Sequence, residues 1–95
     1  AHEDALTGLA NRRAFDETAA REFSRARRMD TPLCLALIDI DHFKRINDSY
    51  SHAAGDAVIV RLAQRMKRQS RGMDVVARWG GEEFALLLPQ AKLED

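Results

Sequence analysis

The chain has a single cysteine, Cys34, and only two prolines in 95 residues. One thiol excludes an internal disulfide framework and suits a reducing compartment, so a cytoplasmic setting is expected. No apolar run approaches the roughly 18 residues needed to cross a bilayer, which excludes a membrane-spanning helix within this sequence. Neither sign of charge prevails: 15 lysines and arginines balance 15 aspartates and glutamates, for a formal net charge of zero. That balance argues against a protein whose main task is neutralising nucleic-acid phosphates, although local patches survive it. An initiator methionine and a charged-then-apolar leader are also missing, and the chain is expected to be a piece of a longer cytoplasmic protein. Internal repeats, low-complexity tracts and interdomain linkers are absent as well.

What is present suffices for one small domain and is too short for two independent cores. Apolar residues make up 45% and charged residues 32%, the latter above the roughly 25% of an average soluble domain. After a turn-like opening from Ala1 to Ala10, broken at Thr7-Gly8, Asn11 is placed to cap a helix running to about Met29. Phe15, Ala19, Phe23 and Ala26 form its apolar stripe, with Glu17, Arg21, Arg25 and Arg28 on the solvated side. Asp30-Thr31-Pro32 stops it. The continuous apolar run Leu33 to Ile40 predicts a buried strand. A short helical segment over 42–50 follows, then a loop from Ser51 to Gly55. Asp56 is expected to cap a second long helix whose inner face is Val58, Ile59, Leu62, Ala63 and Met66. Two β-prone runs, Val75 to Ala77 and Phe84 to Leu88, flank Arg78-Trp79-Gly80-Gly81-Glu82-Glu83. The glycine pair predicts a hairpin through the positive φ that tight turns require. The order helix, strand, helices, hairpin predicts an α/β or α+β sandwich of helices on a sheet.

Chemistry is indicated by position rather than by number of acids. Asp39 and Asp41 stand at the C-terminal end of the first strand, where open α/β sheets place ligands. Two residues apart on a strand, they would project from one face. Glu82 and Glu83 occupy the hairpin tip. If that tip lies beside Asp39, three or four carboxylates converge, and such a cluster is unfavourable unless it holds a hard cation such as magnesium or manganese. A solvated acidic turn beside an acidic strand end is the plain alternative.

Five motifs then stand in register along the chain. They are Asp4-Ala5-Leu6-Thr7-Gly8-Leu9-Ala10-Asn11-Arg12-Arg13, Asp39-Ile40-Asp41-His42-Phe43-Lys44, Asn47-Asp48, His52 with Gly55-Asp56, and Arg78-Trp79-Gly80-Gly81-Glu82-Glu83-Phe84. In order and spacing they resemble the GGDEF family of diguanylate cyclases, over essentially all of residues 1–95. The resemblance implies a nucleotide-cyclase-like fold with a ferredoxin-like core sheet and flanking helices, here ending after the Gly-Gly-Glu-Glu-Phe hairpin. It implies condensation of two GTP molecules into cyclic di-GMP, with loss of pyrophosphate, by a magnesium- or manganese-dependent homodimer. Asp39, Glu82 and the Ile40 carbonyl match the family's metal ligands. Glu83 matches the position proposed to assist deprotonation of the attacking hydroxyl or to hold a second metal. Asn47 and Asp56 match its guanine readers, against the plain alternatives of a helix-end residue and an N-cap. Gly80 and Gly81 would let backbone approach the nucleotide, and main-chain amides around His42 and Phe43 would face phosphate.

Arg71 and Asp74 form Arg-x-x-Asp, with five residues between Asp74 and Gly80, the spacing of the family's inhibitory product site. A surface ion pair is the alternative. Lys44 reads as structural or as a diffuse attraction for phosphate, Trp79 as a partly buried prop and Cys34 as an inert core thiol. Ser51 stands where the family usually has glycine, which predicts a slightly stiffer loop.

Two function classes follow. The first is the N-terminal part of a diguanylate cyclase catalytic domain, fed by an upstream sensor. The second is a non-catalytic module that senses cyclic di-GMP through Arg71 and Asp74. Family members continue beyond the last strand, so these 95 residues by themselves are expected to turn over weakly or not at all. They are also expected to self-associate over an apolar edge left open on the first strand.

Overall fold

The computed structural model describes residues 2–92; Ala1 of the expected opening turn lies outside them. The elements follow the expected order: α1 (Arg12–Met29), β1 (Leu33–Asp39), α2 (Phe43–Ser49), α3 (His52–Gln69), β2 (Val75–Arg78) and β3 (Glu83–Pro89). The three strands form one antiparallel sheet in the order β1-β3-β2.

The central strand, β3, explains the layering. Its side chains alternate between faces, as a pleated strand requires. Phe84 joins Leu9, Ile59, Ala63 and Val76 beneath α3, and Leu86 packs against the same cluster. Ala85 and Leu87 join Phe15 and Ala77 beneath α1. The sheet therefore carries helices on both sides, and the expected sandwich is present. The apolar face of α3 is as expected, with Ile59 and Ala63 each 1% exposed.

Four expectations change in detail. The strand β1 is not buried: Leu35 is 50% and Leu37 61% exposed. Those leucines stand opposite Leu87 and Ala85, hence on the α1 face, and α1 covers β2 and β3 while leaving most of β1 bare. Likewise Phe23 is 54% exposed, so the stripe of α1 meets the core cluster through Phe15 and Ala19. The helix α3 begins at His52, with Ser51 accepting a hydrogen bond from the Ala54 amide at 3.0 Å. Ser51 is thus a helix cap, the expected loop is helical from His52, and Asp56 lies inside the helix. Finally, neither Gly80 nor Gly81 has positive φ; Gly8 is the glycine that does, at 74°. The connection between β2 and β3 is long enough to turn without left-handed backbone.

The stops and starts of α1 follow the sequence closely. The Asn11 side chain accepts from the Ala14 amide at 2.9 Å. At the far end Asp30 takes the left-handed conformation, φ 54°, and its amide bonds back to the Ala26 carbonyl.

Candidate functional site

The site grows from the register of β1 on β3. Asp39 is the cross-strand partner of Glu83, and the Ile40 amide donates to the Glu82 carbonyl at 3.2 Å. The end of β1 and the start of β3 therefore bring Asp39, Ile40, Glu82 and Glu83 to one edge of the molecule. The expected convergence of three or four carboxylates does not occur: among the described residues no group of three or more His, Cys, Asp or Glu side chains is arranged to hold a metal. Glu82 lies in the bend before β3, whereas Glu83 is the strand residue opposite Asp39. For the same reason the strand geometry invoked for Asp41 fails, because β1 ends at Asp39 and Asp41 lies in a turn. What remains is a set of hard oxygen donors, the Asp39 and Glu82 carboxylates with the Ile40 carbonyl. That set is chemically suited to magnesium or manganese.

The hairpin tip is closed by its own backbone. The Glu83 carbonyl accepts from the Trp79 amide at 2.8 Å and the Gly80 amide at 3.2 Å. A Cβ on Gly80 would meet the Glu83 side chain at Oε1, 2.5 Å away, and Glu83 is exposed, so its carboxylate could turn aside.

The root of the hairpin is clamped by the N-terminal segment at three successive residues. Ala10 bridges to Ala77, and the Arg78 amide donates to the Ala10 carbonyl at 3.0 Å. The Arg78 guanidinium pairs with Asp4 at 3.3 Å and donates to the Gly81 carbonyl at 2.8 Å. The Arg12 guanidinium stacks 3.9 Å above the Trp79 ring. Trp79 is half-buried and packs on the α1-side core, as a prop should. Asp4 and Arg78 each stand in a motif noted in the sequence, but their pairing was missed, because nothing local links residues 74 positions apart. Asp4→Ala should cost about 1–2 kcal/mol, since it removes the partner of Arg78 Nη1 while the bonds from Nε and Nη2 to the Gly81 carbonyl remain. It should also speed hydrogen exchange at the Trp79 and Gly80 amides; unchanged exchange would show that the clamp does not hold the tip.

The contact of α2 with α3 sets the Asn47 amide against Gly55, one residue away from Asp56 along the chain, and Asp56 is exposed. The turn into α2 places His42 in left-handed backbone, φ 60°, while the Phe43 ring packs against the α3-side core.

Arg71 and Asp74 lie before β2, at the end of the hairpin away from Glu82. Asp74 is buried and accepts from the Arg71 amide at 2.9 Å and from its guanidinium, Nη2 at 2.9 Å and Nε at 3.1 Å. Arg71 Nη2 also donates to the Pro89 carbonyl at 3.0 Å. Cys34 is half-buried nearby, its thiol donating to the Ala91 carbonyl at 3.0 Å.

Asp74 and Asp4 are both held below the ordinary carboxylate value of 3.8. Burial pushes each upward, but hydrogen bonds outweigh it, from Arg71 at Asp74 and from Thr7 and Arg78 at Asp4. A folded-state pKa below the unfolded one means the folded chain binds fewer protons. The stability contributed is complete above about pH 4 and lost as pH falls through the folded values. Melting temperature should therefore hold between about pH 5 and 7 and decline below about pH 4. Asp74→Asn should lower stability at neutral pH by about 1–2 kcal/mol, discounted for the exposed Arg71 side chain, and flatten the acid decline. An acid slope identical to that of the wild type would contradict this assignment.

No helix among the described residues is long and apolar enough to cross a membrane. A family model described as "Diguanylate cyclase, GGDEF domain" matches residues 1–95. The diguanylate cyclase DgcP of Pseudomonas aeruginosa is 50% identical over 91 residues, covering 96% of this chain but 14% of that relative. The GGDEF domain of DgcB from Caulobacter crescentus, solved in complex with c-di-GMP, superposes with a TM-score of 0.95 at 43% identity, covering 98% of this chain and 53% of that one. The diguanylate cyclase SiaD of P. aeruginosa, solved with its activator SiaC, gives a TM-score of 0.94 at 46% identity, over 98% of this chain and 36% of that one. The chain thus spans about half or less of each of these relatives.

Proposed function

Because the chain belongs to the GGDEF domain family of diguanylate cyclases, we propose that the protein condenses two GTP molecules into cyclic di-GMP and that residues 2–92 carry much of the catalytic surface. The observation that carries this reading is the β1/β3 register, which sets Asp39 and Ile40 against Glu83 and Glu82. In the reaction each 3′-hydroxyl forms a bond to the other nucleotide's α-phosphorus, the bond to pyrophosphate breaks, and the hydroxyl proton is lost. Asp39, Glu82 and the Ile40 carbonyl would hold magnesium or manganese, which when bound supplies charge stabilisation at the reacting phosphate. Glu83, exposed at the start of β3, would help take up the hydroxyl proton. A free glutamate is a weak base at neutral pH, so this role depends on its placement. Asp56 would accept from the guanine N1–H and amino group, and Asn47 would donate to O6. An adenine would leave both mismatched. Main-chain amides at His42 and Phe43, with Gly80 and Gly81, would line the phosphates.

Each half-site would hold one GTP, so the working unit would be a homodimer, governed by an upstream sensor. Cyclic di-GMP would return to Arg71 and Asp74. Asp74 takes the Nε and Nη2 edge of Arg71 and the Pro89 carbonyl accepts from Nη2, so a guanine or phosphate of the product would compete with these partners for the guanidinium.

The test is incubation of the purified protein with GTP and magnesium, with cyclic di-GMP detected by mass. Production that is abolished by chelation supports the enzyme. Tight binding of cyclic di-GMP without turnover, unchanged in Glu82→Gln, would instead establish a receptor. For the 95 residues alone, light scattering should report association through the bare face and edge of β1; a monomer with protected β1 amides would refute that.

A further inference from the structure

Gly55 lies in the first turn of α3, buried, although glycine is among the poorest helix formers. Its φ is not in the left-handed region, so the backbone does not require a glycine. The space does. A Cβ on Gly55 would overlap Asn47 Oδ1, come within 2.9 Å of Asn47 Cγ and within 3.1 Å of the Phe43 ring. The overlapping oxygen is itself buried and has no hydrogen-bond partner. A buried amide oxygen without a partner is costly, and it is retained here against Gly55, the residue before Asp56.

We propose that Gly55 is a positioning residue for base selection. Its missing side chain forms a notch in α3 that seats Asn47 with Oδ1 inward and Nδ2 outward. A pocket built this way presents a donor and demands an acceptor at position 6 of the purine. The assignment rests on the reading of Asn47 and Asp56 as guanine readers, and it adds the residue that fixes which end of the amide the base meets. A methyl group at position 55 would displace the amide.

The experiment is competition binding on the purified intact protein with GTP, ITP and 2,6-diaminopurine riboside triphosphate. The diaminopurine nucleotide replaces the acceptor at position 6 by a donor and also turns N1 from donor to acceptor opposite Asp56. The change in its discrimination on substituting Gly55, and not the wild-type value, therefore reports on Asn47. ITP lacks only the 2-amino group assigned to Asp56. Wild type should prefer GTP over both. Gly55→Ala should reduce the preference for GTP over the diaminopurine nucleotide about tenfold, while the preference over ITP moves less than about threefold. Loss of affinity for all three nucleotides alike would overturn the proposal, as would a diaminopurine preference equal to that of the wild type. A wild type indifferent to the base would overturn the guanine reading itself, before any substitution is made. Thermal melting gives an arm that does not need nucleotide. Gly55→Ala should melt below wild type, and Gly55→Ala/Asn47→Ala, which removes the overlapped atoms, should melt above Gly55→Ala. A double variant that melts no higher than Gly55→Ala would overturn the notch.

Discussion

Glu82→Gln should reduce production of cyclic di-GMP from GTP and magnesium by at least about 100-fold while leaving the melting temperature of the nucleotide-free protein nearly unchanged. The substitution preserves shape and replaces an anionic oxygen donor with a neutral amide. Loss of groups that merely orient a metal's ligands already costs about 10–100-fold, so loss of a proposed direct ligand should cost no less. The expected stability follows from position. Glu82 precedes β3 and engages Ile40 through its backbone carbonyl, a contact that glutamine keeps. The strongest contrary result would be full turnover in Glu82→Gln with normal dependence on magnesium, because the Asp39–Ile40–Glu82 donor set would then not be the metal centre. A stability loss comparable to the activity loss would also count against it, since Glu82 would then be acting on the fold.

Local features were legible in the sequence, and features built by closure of the chain were not. Asn11 and Asp30 bound α1 as expected because caps and stops depend on neighbours a few residues away. The start of α3 was misplaced for an equally local reason: Ser51 and Asp56 are both competent caps, and the competition was decided in favour of Ser51 by the turn after α2. A continuous apolar run reads as a strand covered on both faces, yet Leu35 and Leu37 are bare. The run records the demand for cover; it does not say whether α1 is long or tilted enough to supply it. The acidic residues show the same division. The hairpin tip was considered as a neighbour of Asp39, and Asp39 does stand opposite Glu83, but Glu82 and Asp41 lie outside the paired strands, so strand periodicity does not fix how many carboxylates converge. Asp4 and Arg78 meet across a separation of 74 residues, and Asn47 meets Gly55 between two helices. Neither pair has a periodic signature, so only the assembled sheet and helices show them.

Phe84→Ala should be the most destabilising single substitution at the site, by about 3–5 kcal/mol. Phe84 is fully buried, at 0% exposure, and it is held on both flanks of the central strand, opposite Ile38 on β1 and Arg78 on β2. Beneath α3 it contacts the cluster of Leu9, Ile59, Ala63 and Val76, so truncation opens a cavity that a three-stranded sheet has little means to close. Domains of this size have total stabilities of about 5–15 kcal/mol, and each kcal/mol moves the midpoint by about 4–8 °C. A fall in melting temperature of at least about 12 °C is therefore expected, and Phe84→Leu, which keeps most of the volume, should cost no more than about 1.5 kcal/mol. The functional consequence follows from adjacency. Phe84 is the residue after Glu83, and its ring pins the start of β3 on which the Asp39–Glu83 and Ile40–Glu82 contacts depend. Below its own melting temperature, the folded fraction of Phe84→Ala should bind magnesium and GTP more weakly than wild type, with Phe84→Leu between the two. If Phe84→Ala loses less than about 1 kcal/mol, or loses stability while its folded fraction binds nucleotide normally, the hairpin is anchored elsewhere, and the clamp from Asp4 and Arg12 becomes the element to test next.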